Sequence, residues 1–181
     1  MKYFLGITPP EEIKERIFSF QKSFKNNKLP RIFEPHITVK TKNGLGEDLG
    51  WLEKARLVVE DYPKFVIIFE GVDTFGDGVV ILRPRLSEKL LSLHKALFQA
   101  IKPSEDDTTK KYFENDKYEP HFTLGMDSWG MTKEELVVMR EKAVKELSRM
   151  PEFEVSFVRV YRQIDLDKPY EKFVDISLSD E

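Results

Sequence analysis

A five-residue pattern occurs twice in this chain and limits how it can fold. Proline, histidine, any residue, threonine and an apolar residue appear as Pro35-His36-Ile37-Thr38-Val39 and as Pro120-His121-Phe122-Thr123-Leu124. The two histidines lie 85 positions apart in a chain of 181 residues. Each copy arrives in the same order of elements. An apolar strand pattern over residues 2–8 and a helical pattern over 10–25 precede the first. A strand over 79–83 and a helix over 87–101 precede the second. After each copy come a helix and a strand pair. A repeat of order and motif implies a duplicated α+β unit, two lobes about a rough two-fold. We expect one bilobal domain over residues 1–181, with antiparallel sheets lining a central cleft and helices outside.

The individual elements follow from local chemistry. Thr8-Pro9-Pro10-Glu11 reads as a helix start, with Thr8 as cap and Glu11 three residues on. Ile13, Ile17, Phe20 and Phe24 then mark one helical face. A short strand is expected over 36–41 and a helix over 49–62, with Leu52, Ala55 and Val59 inward. A β-branched and aromatic run over 65–72 reads as a strand. Asp77-Gly78 turns it back into a partner at 79–82. Ser87 caps a helix with Leu90, Leu93, Leu97 and Ile101 inside. The polar stretch 102–119 reads as a mobile loop that delivers the chain into Pro120-His121. A strand over 121–124 follows, then a capping box at Thr132 and Glu135, which opens a helix burying Leu136, Met139, Ala143 and Leu147. Strands over 153–162 and 172–178 flank a turn at Asp167-Lys168-Pro169.

Composition removes several chemistries. Without cysteine there is no thiolate nucleophile, disulfide framework, Cys-containing zinc site or iron–sulfur cluster. The same absence suits a reducing cytoplasm. The apolar run Tyr3–Ile7 is too short for a signal-peptide core, and no stretch approaches the roughly 20 apolar residues of a membrane span. A net charge of −3 argues against a broad basic face for duplex nucleic acid, yet leaves room for a small cleft that takes one phosphate.

Strand geometry explains the motif. Side chains alternate faces, so His36 and Thr38 share one face while Ile37 and Val39 share the other. The same holds for His121 and Thr123 against Phe122 and Leu124. Each strand then buries its apolar face and turns a His–Thr pair toward the cleft. Two such pairs suit phosphodiester chemistry without a metal. One neutral imidazole accepts a proton from the attacking oxygen, and a protonated one donates to the leaving oxygen. The threonine hydroxyls hold the non-bridging phosphoryl oxygens.

The paired motifs resemble the two-histidine phosphoesterase superfamily, and within it the 2′-5′ RNA ligase / RNA 2′,3′-cyclic phosphodiesterase proteins. The opening Lys2-Tyr3-Phe4-Leu5-Gly6-Ile7-Thr8-Pro9-Pro10 is similar to the first strand of that branch. The resemblance implies a bilobal fold with both motifs in one cleft, no metal and no nucleotide cofactor. It makes His36 and His121 the acid–base pair and Thr38 and Thr123 the phosphate-holding hydroxyls. The implied reaction opens a 2′,3′-cyclic phosphate at an RNA end or on a nucleotide, with RNA joining as its reverse. A small cyclic phosphate of the ADP-ribose kind and a non-catalytic nucleotide- or RNA-binding module are the alternatives. A monomer is expected.

Other residues are placed by the same reasoning. Lys40 follows the first motif on the His face, where it adds positive charge for a phosphate; Gly125 holds the corresponding place in the second. Phe4 or Tyr3 is positioned to stack a base, and alternation assigns the other to the core. Arg83, Arg85, Lys110, Lys111 and Arg162 are candidates for a phosphate-binding rim. His94 sits among Leu90, Leu93 and Leu97 and reads as a packing or surface residue. Spacings of 58 and 27 positions between the three histidines match no local metal-ligand motif.

Overall fold

A computed structural model describes residues 1–103 and 114–180. The first half of the chain runs β1 (Lys2–Ile7), α1 (Glu11–Lys22), β2 (Ile37–Lys40), α2 (Gly50–Glu60), β3 (Phe65–Ile67) and β4 (Phe69–Phe75). The second half repeats that order as β5 (Val79–Pro84), α3 (Glu88–Ala100), β6 (Phe122–Met126), α4 (Lys133–Leu147), β7 (Phe153–Val155) and β8 (Phe157–Gln163). A further strand, β9 (Glu171–Ser177), follows. The architecture is α+β with antiparallel strand pairs, as expected.

The strands of the two halves join. Seven form one sheet in the order β4-β5-β6-β2-β1-β8-β9, and β3 pairs with β7 in a second, two-stranded sheet. The rough two-fold passes between β6 and β2. Each half also lends a strand to the other: β4 lies beside β5, and β8 lies beside β1. This exchange explains two departures from the sequence reading. The run over 65–72 breaks at Ile68 and the run over 153–162 breaks at Ser156, because at each point the chain leaves the small sheet for the large one.

The centre of the sheet is open. β2 and β6 meet at a single register pair, Ile37 with Phe122. Beyond that pair their backbone carbonyls need other partners, since a buried orphan costs about as much as a lost hydrogen bond. Side chains of the opposite half supply them. Tyr118 Oη donates to the Thr38 carbonyl at 2.8 Å, and the His94 ring is 2.8 Å from the Val39 carbonyl. At the equivalent positions Gln21 Nε2 donates to the Thr123 carbonyl at 2.9 Å, and Asn27 Nδ2 donates to the Leu124 carbonyl at 2.9 Å.

Both motif strands carry a bulge at the same place. β1 pairs Gly6 with Thr38 and Leu5 with Lys40, passing over Val39. β5 pairs Ile81 with Thr123 and Val80 with Gly125, passing over Leu124. An extra residue of this kind resets the alternation of faces. The pattern of burial follows it: Ile37, Val39 and Lys40 are buried, as are Phe122, Leu124 and Gly125, while the His–Thr pairs are only partly covered.

Helix starts divide between expected and new. Ser87 accepts from the Leu90 amide, and Thr132 and Glu135 form the full capping box. Thr8 does not cap α1, whose N-cap is Pro10; its hydroxyl instead donates to the Pro35 carbonyl, tying the end of β1 to the His36 motif. In α2 the fully buried positions are Trp51, Ala55 and Val59, with Leu52 partly covered.

Candidate active site

The histidines sit just ahead of their strands, each behind a proline. His36 Nδ1 lies 2.7 Å from the Glu34 carbonyl, and His121 Nδ1 lies 2.6 Å from the Glu119 carbonyl. A carbonyl only accepts, so each Nδ1 carries a proton and each neutral ring keeps its lone pair on Nε2. The two imidazoles therefore hold the same tautomer by the same device. The repeated unit is in fact Glu-Pro-His-x-Thr; the sequence reading misses the glutamates although both copies carry them.

Each glutamate is itself pinned. The Glu34 carboxylate accepts from Tyr161 Oη at 2.6 Å and pairs with Arg159 at 2.7 Å and with Lys14 at 3.5 Å. The Glu119 carboxylate pairs with Arg83 at 3.2 Å. In both halves the arginine also binds an aspartate on a neighbouring strand, Asp175 for Arg159 and Asp73 for Arg83.

Two cavities meet at the threonines. The larger, about 640 Å³, is lined by His36, Thr38 and Thr123 together with Phe4, Phe33, Trp129 and Tyr170. The smaller, about 380 Å³, is lined by His121, Thr38 and Thr123 together with Phe75, Val79 and Tyr118. Thr38 and Thr123 thus stand between a cavity that holds one histidine and a cavity that holds the other. Phe4 is 7% exposed and stacks on Tyr161 at 4.5 Å, with the His36 ring at 4.7 Å. It forms part of the wall of the larger cavity. Tyr3 packs onto Trp51 at 5.2 Å in the core. Phe33 and Tyr170 stack on each other at 5.0 Å and complete an aromatic wall that no periodicity in the sequence announces. Gly6 makes room for this arrangement: a Cβ there would lie 3.2 Å from the Tyr161 ring and 3.4 Å from the His36 Cβ.

The environment lowers both histidine pKa values. Burial pushes His36 from 6.5 down to about 4, and the nearby His121 adds to the effect against the opposing pull of Glu34. Burial and the Arg83 guanidinium push His121 below its ordinary value, with Glu119 opposing. At neutral pH both imidazoles are therefore neutral in the ligand-free protein.

Lys40 lines the smaller cavity with Thr38 and His121, but its charge is already paired. Its side chain is fully buried and pairs with Glu114 at 2.8 Å, and it also donates to the Asn43 carbonyl at 2.6 Å. The bulge at Val39 interrupts the strict alternation of faces at this position. The Glu114 carboxylate is further held by the Thr41 hydroxyl at 2.6 Å and by Asn43 Nδ2 at 3.1 Å. Residues 104–113 of the stretch 102–119, expected to be a mobile loop, lie outside the described residues; its end is held by these bonds, with Asn115–Lys117 forming one 3₁₀ turn. Of the rim candidates, Arg162 pairs with Glu171 at 2.8 Å, while Lys110 and Lys111 lie outside the described residues. His94 is buried, as its packing reading requires. Among the described residues, no group of three or more His, Asp or Glu side chains is placed to hold a metal ion, and no helix is long and apolar enough to cross a membrane.

The sequence profile of the 2′-5′ RNA ligase superfamily matches residues 9–163. The chain belongs to that superfamily. Solved structures share its fold. A structure of TT0787 from Thermus thermophilus superposes with a TM-score of 0.69 at 18% identity, covering 98% of each chain. E. coli LigT complexed with phosphate gives 0.61 at 18% identity, covering 98% of this chain and 97% of that one. E. coli LigT complexed with 3′-AMP gives 0.59 at 19% identity, covering 98% of each. Comparison with curated proteins finds no match. Membership of this superfamily points to a phosphoesterase or a ligase, and the matched residues 9–163 contain both Pro-His-x-Thr segments.

Proposed function

We propose that this superfamily member is a cyclic phosphodiesterase that opens 2′,3′-cyclic phosphates through His36 and His121, without a metal, as one bilobal domain over residues 1–181. The observation that carries the reading is the matched pair of imidazoles. Each has Nδ1 committed to a backbone carbonyl and Nε2 left for proton transfer, on either side of two threonine hydroxyls. In the reaction a neutral imidazole takes a proton from water as its oxygen attacks phosphorus. One ribose P–O bond breaks, and the other imidazole, protonated, gives its proton to the departing ribose oxygen. Thr38 and Thr123 hold the non-bridging oxygens in line. A bound anion raises the histidine pKa values and so supplies the protonated partner that the reaction needs. The aromatic wall of Phe4, Phe33, Trp129 and Tyr170 gives a nucleobase a stacking surface.

Short substrates are favoured over long RNA. Arg83, Arg159 and Arg162 are each tied to carboxylates, Lys40 is buried in its ion pair, and the chain as a whole is acidic. Those four cations are thus engaged within the protein, while Lys2 and Lys42 line the larger cavity, an arrangement that suits a single nucleotide or a short end better than a long phosphate backbone. RNA joining, the reverse reaction with a 5′-hydroxyl in place of water, is the secondary activity. We place the enzyme in the cytoplasm as a monomer.

The test is hydrolysis of 2′,3′-cyclic AMP and of a cyclic-ended oligonucleotide in EDTA. Wild type is expected to turn over both, with the mononucleotide rate less sensitive to salt. Absence of turnover on either substrate, with nucleotide still bound, would leave a binding module as the correct reading.

A further inference from the structure

The third histidine and the tyrosine stacked on it bridge the two motifs. His94, on α3, lies against Tyr118 with ring centroids 3.7 Å apart and planes within 10°. Its Nδ1 faces the Val39 carbonyl at 2.8 Å, and its Nε2 accepts from the Asn115 amide at 2.8 Å. Those two partners require the neutral ring, with a proton on Nδ1 only. Tyr118 Oη donates to the Thr38 carbonyl at 2.8 Å. Burial pushes the His94 pKa down and the Tyr118 pKa up, so both groups stay in the protonation state these bonds need.

Chain connectivity gives this cluster its consequence. Tyr118 precedes His121 by three positions; between them stand Pro120 and Glu119, whose carbonyl orients His121. Thr38, the residue whose carbonyl Tyr118 binds, follows His36 by two. Among the described residues the backbone register between β2 and β6 is the Ile37–Phe122 pair alone, with Gln21 and Asn27 bridging on the β6 side and His94 and Tyr118 on the β2 side. The backbone ladder cannot hold the two motifs at a set gap beyond that point, and the His94–Tyr118 stack spans it.

We propose that His94 and Tyr118 are positioning residues that set the separation of the two imidazoles across the cleft. The Tyr118 hydroxyl holds the approach to His121 onto the open edge of the strand that carries Thr38. His94 stacks on the Tyr118 ring and binds the same edge one residue further along. Both also line the smaller cavity beside His121, but the positioning role acts through the strand edge and not through the substrate.

Tyr118→Phe tests this most cleanly, because it keeps the stacked ring and removes only the bond to Thr38. The kinetic arm rests on the proposed cyclic phosphodiesterase activity. With 2′,3′-cyclic AMP, kcat is expected to fall about 10- to 100-fold, the scale of a small misplacement of reacting groups, while KM stays within about twofold. An unchanged kcat, or a loss confined to KM, would overturn the proposal, since the latter means that Tyr118 contacts the substrate directly. A second arm does not depend on activity. Imidazole NMR resonances of His36 and His121 are expected to move in Tyr118→Phe, with the melting temperature lowered only by the several degrees that one lost buried hydrogen bond costs. Resonances that stay fixed would overturn the proposal even in a protein that hydrolyses nothing. Wild-type inactivity beside shifted resonances would count against the proposed function alone.

Discussion

Replacing His36 with asparagine should flatten the pH dependence of stability by an amount that follows from its burial. The His36 pKa is about 4 in the folded protein against 6.5 in the unfolded chain. Between those values the unfolded chain binds the proton and the folded one does not. Stability therefore rises with pH through this window and is lost as pH falls from 6.5 toward 4. At about 1.36 kcal/mol per pKa unit, the full difference is on the order of 3 kcal/mol below pH 4. Integrated between pH 7 and pH 5, it is about 1.5–2 kcal/mol. Asparagine does not titrate, and its Nδ2 can take the place of Nδ1 as donor to the Glu34 carbonyl. Titrating groups remote from His36 are common to both proteins and cancel in the comparison, and only Glu34 and His121, which act on His36, add a smaller difference. Urea unfolding of wild type and His36→Asn at pH 7 and pH 5 measures the difference directly. Wild type should lose about 1.5–2 kcal/mol more than the variant on acidification. Equal losses would mean that His36 is not held neutral by its surroundings, and the account of the tautomer would fall with it.

Three further outcomes are expected. Glu114→Gln leaves the buried Lys40 ammonium without its carboxylate and should cost about 3–5 kcal/mol in chemical denaturation; adding Lys40→Met to it should recover much of that loss, and a loss below about 1 kcal/mol would show that the pair is not sealed from water. Gly6→Ala forces a methyl group against the Tyr161 ring and the Ile37 carbonyl at 3.2 Å and should cost about 1–3 kcal/mol together with part of the turnover, read by melting temperature and rate on one sample. The profile of kcat/KM against pH should be a bell centred below pH 6.5, because both free-enzyme histidines are shifted down, and the kcat bell should lie higher because the bound anion raises them; a kcat/KM optimum at or above pH 7 would contradict the lowered values.

Much of this is legible from residue types at fixed spacing. The Pro-His-x-Thr repeat places each His–Thr pair on one strand face, and the structure has each pair lining a cavity. Ser87 and the Thr132–Glu135 box mark the starts of α3 and α4, since capping depends on a few neighbouring residues. What escapes depends on partners far away in the chain. A bulge adds one residue against a neighbouring strand and cannot be seen in either strand alone, and the Glu114 that takes up the charge of Lys40 lies 74 positions away. The breaks at Ile68 and Ser156 arise because each apolar run serves two sheets. Thr8 is spaced as a cap but finds a better partner in the Pro35 carbonyl. His94 lies on an apolar helix face and reads as packing, because its partners Val39 and Asn115 are distant in sequence. The glutamate before each proline is the one overlooked signal that lies in plain view.

The central claim is that His36 and His121 act as one unit on a single phosphate. Rates of 2′,3′-cyclic AMP hydrolysis for wild type, His36→Ala, His121→Ala and the double variant test it in one experiment. If each imidazole moves a proton in the same transition state, each single variant should lose about 10²- to 10⁴-fold, and the double variant should be scarcely worse than either. A single variant that keeps its rate within a few-fold of wild type, or losses that multiply in the double variant, would contradict a shared acid–base step.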